Sequence, residues 1–156
     1  MTIMQIKNVI LLVLAAVGTG IAKAIGGWDS AMTTLIIIMA ADYITGLMIA
    51  AVWQRSPKSS GGALESRAGF KGLCRKMLIL ISVLIAHQLD TSLHSPGMIR
   101  TAVILFFIGN EGLSVIENMG IMGVPLPDIV RKSFEQLKAK STDTVPIDDG
   151  EADQNE

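Results

Sequence analysis

Two carboxylates stand where a carboxylate is costly. Asp42 falls inside the apolar run from Ala31 to Val52, and Glu111 inside another that opens at Met98 or Ile99. Asp42 lies 11 residues into its run, roughly 16 Å from the outer end and near the middle of a ~30 Å hydrocarbon layer. Glu111 lies 12 residues past Ile99 on a segment entering from the same side, so the two acids are expected at similar depth. Ser82, 12 residues beyond Phe70 on the oppositely directed segment between them, should reach the same level. A charge there costs about 2.5 to 3.5 kcal/mol on insertion scales, and intramembrane acids commonly mark a pathway or a partner. The bland alternative is that both are protonated and hydrogen-bonded within one chain.

Helical spacing adds faces to these depths. Asp42, Gly46 and Ala50 repeat every four residues with Thr45 beside them, a stripe narrow enough for close helix approach. On the last apolar segment Asn110, Ser114 and Glu117 share a face, flanked by Glu111 and Asn118; the first segment offers Ala16, Gly20 and Ala24. The expected pore or oligomer seam is therefore Asp42, Thr45, Gly46, Ser82, Asn110, Glu111, Ser114 and Glu117. Glu117 and Asn118 lie near the cytoplasmic end, where an interfacial role would suffice. Trp28 and Trp53, at the two ends of the second segment, read as interface anchors.

Nothing in the sequence carries an enzyme motif. Gly18-Thr19-Gly20 lacks the third glycine of a dinucleotide fingerprint and sits in an apolar helix, and Ser59-Ser60-Gly61-Gly62 reads as a flexible turn. One cysteine, Cys74, with His87 and His94 makes a poor metal site, so no metal or cofactor is expected. A net charge of −1 gives no field that would attract nucleic acid.

The elements that must position these residues follow from where the charges are. The chain of 156 residues is 17% charged, against about 25% in an ordinary soluble protein. Its charges collect between Arg55 and Lys76 and after Asp128. Four spans are expected, at about 9–25, 31–52, 70–89 and 99–118. The first has a rival reading as a signal peptide, with Ala22-Lys23-Ala24 as the cleavage pattern. The third reaches full length only if Lys71, Arg75 and Lys76 extend to the headgroups. The loop between spans two and three holds Arg55, Lys58, Arg67, Lys71, Arg75 and Lys76 against Glu65 alone, whereas Lys23 and Arg100 are the basic residues at the margins of the other two. That contrast sets the middle loop, and with four spans both termini, in the cytoplasm.

Residues 1–126 thus form a polytopic membrane domain. From 127 to 140, Ile129, Val130, Ser133, Phe134 and Leu137 share one face of a short cytoplasmic amphipathic helix. The tail 141–156, with six acids and no base, is expected to be disordered. The fold class is an all-α membrane protein of four transmembrane helices.

Several stretches then resemble a known family: DYITG (Asp42 to Gly46), SRAGFKGL (Ser66 to Leu73) with Arg75-Lys76, AHQLD (Ala86 to Asp90), IRTAVILF (Ile99 to Phe106) and NEGLSVIENMGIMGVPLP (Asn110 to Pro127). In this order they cover most of the chain from Asp42 to about Leu137, and the ordered set resembles the toxin-secretion and phage-lysis holins. The resemblance implies a phage or prophage protein of the bacterial cytoplasmic membrane that associates with copies of itself. At a timed moment it permeabilises the membrane so that an endolysin, without necessary direct contact, reaches the cell wall. Some relatives are associated with export of a large toxin instead. Residues alone, without the resemblance, fit a small transporter or channel subunit equally well.

Overall fold

Apolar runs uninterrupted by proline become helices, because in hydrocarbon each backbone amide must find its partner within its own segment. The computed structural model describes residues 2–54 and 66–143, with side chains as far as Lys140. Among the described residues there are five α-helices and no strand: α1 (Ile3–Ala24), α2 (Ser30–Met48), α3 (Ser66–Leu93), α4 (Met98–Ile121) and α5 (Asp128–Asp143). A π-helical turn, Ile49–Trp53, prolongs α2 until Gln54 takes a left-handed conformation, φ 49°. Among the described residues three helices are long and apolar enough to cross a membrane: α1, α2 with its extension, and α4. The 28-residue α3 has the length, but Arg67, Lys71, Arg75 and Lys76 crowd its first half.

The helices overrun the expected spans at several ends, α1 beginning at Ile3 and α3 running from Ser66 to Leu93. Helix α5 runs on through Ser141–Asp143, residues assigned above to the tail, because each added helical hydrogen bond extends an existing helix without a new nucleation cost. The rest of the tail and the loop positions Arg55 and Lys58 lie outside the described residues.

The buried stripes of α2 and α3 follow a coiled-coil rhythm. Met32, Leu35, Met39 and Asp42 face inward from α2, and Lys76, Ile79, Val83, Ala86 and Asp90 from α3, at alternating steps of three and four. Helix α4 buries a broader face because α2, α3 and α5 all pack against it. Leu35, Val83 and Ile104 are fully enclosed where α2, α3 and α4 meet. In lipid this contact is held by close packing and polar bonds, since the tails are as apolar as leucine.

Glycines permit two close approaches. Gly26, φ 86°, turns the chain between α1 and α2, and a Cβ on it would stand 2.7 Å from His87 Nδ1 and 2.9 Å from Arg100 Cδ. Gly109 and Gly112 open a notch on α4 in which the Phe134 ring and the backbone of α5 lie. By contrast α1 has no buried residue, and Gly20, the centre of its small-residue stripe, has nothing within 4 Å.

Most intrahelical hydroxyls are spent locally. Thr19, Thr33, Thr34, Thr45, Ser82, Thr91, Thr101 and Ser133 each donate to the carbonyl four residues back. Such bonds satisfy a hydroxyl without any partner helix.

Candidate functional site

The two costly acids meet a base. Asp42 on α2 and Glu111 on α4 are 5% and 3% exposed, and the Lys76 ammonium of α3, 8% exposed, lies between them. Lys76 Nζ donates to Asp42 Oδ2 at 2.5 Å and also to Glu111 Oε2. Three helices are thereby tied at one level by side chains alone. Asn118, seven residues beyond Glu111 on the same stripe, adds its Nδ2 amide as donor to Asp42 Oδ1 at 3.2 Å and to Thr45 Oγ1 at 2.9 Å. Gly46 leaves room beside that amide, since a Cβ there would be 3.9 Å from it.

A second polar cluster seals the other end of the bundle. Arg100 on α4, 6% exposed, donates through Nε to the Ile25 carbonyl at 2.6 Å and through Nη2 to the Gly27 carbonyl at 3.0 Å. Its Nη1 pairs with Asp29 Oδ2 at 2.6 Å. Asp29 also caps α2 by accepting from the Met32 amide at 2.8 Å. The Arg100 hydrogen bond, foremost, holds the Asp29 carboxyl below its ordinary value, against the opposing effect of its partial burial. Asp90, buried on α3, accepts from the backbone amides of Ile99 and Arg100 at 3.0 and 2.8 Å, capping α4 from outside its own sequence. Arg100 therefore fixes the α1–α2 turn onto the bundle.

The expected seam is brought together in part. Asp42, Thr45, Gly46 and Glu111 share the inner cluster within one chain. Ser82 does not join it: its hydroxyl bonds to Leu78 on its own helix. Lys76 occupies the level expected for Ser82, so α3 is shifted along its axis by six residues, about 9 Å, from the register that equal counting from Phe70 suggested. On α4 the stripe is rotated from the one expected. Asn110 and Glu117 are exposed and Ser114 is half-buried, whereas Glu111 and Asn118 face inward. Lys76 is the clearest correction. Counted above among the loop bases that reach the headgroups, it turns inward because two carboxylates on neighbouring helices offer it partners. Arg67, Lys71 and Arg75 are exposed.

The chain matches the model of the bacteriophage holin family over residues 19–139, a stretch that contains both clusters whole. It belongs to that family. Among its relatives in this membrane-protein family, the probable holin of Bacillus phage phi105 is 30% identical over 115 residues, covering 74% of this chain and 79% of the phage protein. An uncharacterised protein of Clostridium perfringens strain 13 is 36% identical across 80% of this chain and 87% of its own length. One from Listeria monocytogenes is 38% identical across 74% and 77%. No solved structure matches this holin-family chain.

Sequence reasoning missed Lys76, Asn118, Asp90 and Arg100 as buried polar residues. For Lys76 and Asp90 the signal was present: both continue the three-and-four rhythm of Ile79, Val83 and Ala86. For Arg100 it was weaker, because a lone arginine at the start of a span also suits an interfacial position.

Proposed function

We propose that this holin-family protein associates with copies of itself in the bacterial cytoplasmic membrane and opens lesions through which a phage endolysin reaches the cell wall. Four spans, α1 to α4, would place both termini in the cytoplasm. The observation that carries the reading is the family match over residues 19–139, shared with a phage protein described as a probable holin. The inner cluster supports it physically. Ion pairs between side chains on three different helices can be re-formed with equivalent residues of another copy, so the contacts that hold one protomer closed are of the kind that join several. A uniform core of leucine would offer no such directional exchange.

The test is induction in a host cell with the membrane potential followed continuously. A holin accumulates without effect and then collapses the potential abruptly, after which a co-expressed endolysin lyses the culture. A potential that stays intact at high membrane levels of the protein would instead place it among small transporters or channel subunits. Reporter fusions check the spans: cytoplasmic activity is expected after Ser60 and Lys140, periplasmic activity near Asp29 and Ser95. A C-terminus found outside would overturn the topology.

A further inference from the structure

Helix α5 poses a problem of depth. The connection from Met122 to Pro127 is short, so α5 doubles back along α4. Phe134 sits over Gly112, and the Lys138 backbone lies where a Cβ on Gly109 would come within 2.9 Å of it. The Lys138 ammonium is 5.5 Å from the centre of the Phe106 ring. Gly109 is 12 residues in from Ile121, the end of α4, or about 18 Å. The seated helix therefore reaches the middle of the bilayer.

Its outward face is wrong for lipid. Phe134 and Leu137 pack toward the core, while Arg131, Lys132 and Glu135 are exposed on the other side. Full charges facing acyl chains are strongly unfavourable. Seating α5 only partly buries Val130, Phe134 and Leu137, which does not offset exposing those groups to hydrocarbon. The seat on α4 is nevertheless well formed, since two glycines leave room there for a ring and a backbone. Both observations are satisfied if water, and not lipid, lies against α5 when it is seated.

We propose that the α4–α5 hairpin is the water-facing wall of the lesion: α5 takes its seat over Gly109 and Gly112 only where an assembly of protomers admits water to Arg131, Lys132 and Glu135. In a lone protomer surrounded by lipid, α5 lies off α4 at the cytoplasmic surface. This assignment rests on the lesion-forming reading above and adds to it the surface that lines the opening.

The full-length chain in vesicles loaded with a dye tests it. In a Cys74→Ser background, Phe106→Cys with Lys138→Cys places two thiols on side chains that meet when α5 is seated and leaves both notch glycines in place. Mild oxidation should give no intrachain disulfide at low protein density, and should give one when the density is raised until dye escapes. A disulfide that forms equally before and after release overturns the proposal, as does release with no disulfide. The seat is tested separately by Gly112→Leu, which fills the notch, and by Phe134→Ala, which empties it without crowding α4. Both should remain inserted and lose dye release, and wild-type release by both would overturn the assignment. If wild-type protein releases no dye at any density, the lesion-forming reading fails on its own. The disulfide still bears on the seat in that case: a bond formed in sealed vesicles shows that α5 seats without water and overturns the assignment.

Discussion

The two buried polar clusters are built from similar charges but differ in what they hold. The outer one, around Arg100, spends most of its bonds on backbone: the carbonyls of Ile25 and Gly27 accept from the guanidinium, and the amides of Ile99 and Arg100 donate to Asp90. The inner one, Asp42, Lys76 and Glu111, is joined by side chains from three helices. Backbone partners are fixed by the fold of one chain, so the outer cluster defines how the protomer is strung. Side-chain partners can be exchanged, so the inner cluster defines what the helices are bonded to. The difference teaches that burial of charge in this protein serves two ends: it fixes the path of the chain at one level and ties three helices together by side chains at another.

The largest expected effect comes from removing the shared base. Lys76→Met leaves two carboxylates facing each other and should destabilise the protein by about 3 to 5 kcal/mol, the range for breaking a buried ion pair. Unfolding in detergent micelles would measure it. The triple variant Asp42→Asn, Lys76→Met, Glu111→Gln should recover most of that loss, because no charge then lies unpaired. A triple variant as unstable as the single one would show that the ionic character itself holds the bundle.

Next in size is the outer cluster. Arg100→Gln removes a charge and at least two of the three bonds that fix the α1–α2 turn, at about 1.5 to 3 kcal/mol for each charge-assisted bond. Proteolysis at the turn, near Gly27, should become fast while the inner cluster stays intact. Equal susceptibility in both proteins would erase the distinction drawn between the clusters.

Neutral isosteres give a smaller structural effect and a sharper functional one. Asp42→Asn and Glu111→Gln keep hydrogen-bonding capacity while removing an ionisable group. Each should insert and accumulate as the wild type does, yet shift the time of potential collapse. Unchanged timing in both single variants and in the double variant would reduce the inner cluster to a packing device.

The smallest effect is on pH dependence. The Asp29 carboxyl is held below its ordinary value of 3.8 by Arg100. A depressed folded value means that its contribution is complete above the unfolded value and is lost as pH falls through the folded one. Acidification below about 4 should therefore loosen the α1–α2 turn in wild type, and Asp29→Asn should flatten that response. Because Asp29 is half-exposed, the change will be modest.

Much of the helix pattern could be read from the residues, since spans two and four are long apolar runs ended by turn-forming residues. Asp42 and Glu111 were legible too, as each is an acid inside such a run. The inner cluster was only half visible. Residue counting gave Ser82 as their companion because it assumed equal depth from the ends of the spans, and nothing local sets how far α3 slides along its neighbours. Lys76 seemed a headgroup base because long basic side chains near span ends usually are. Its place was decided by tertiary partners. The path of α5 was hidden for the same reason: its amphipathic face is plain in the sequence, but the notch at Gly109 and Gly112 exists only once α4 is folded beside it.

The order of the inner cluster along the chain also bears on biosynthesis. Acid, base and acid are translated in that sequence, with Lys76 following Asp42 by 34 residues and Glu111 following Lys76 by 35. Asp42 is thus the one charge that must enter the bilayer with no member of the triad ahead of it. Each later helix meets an opposite charge already made, so the ribosome delivers the base before the second acid and two like charges need not share the membrane uncompensated.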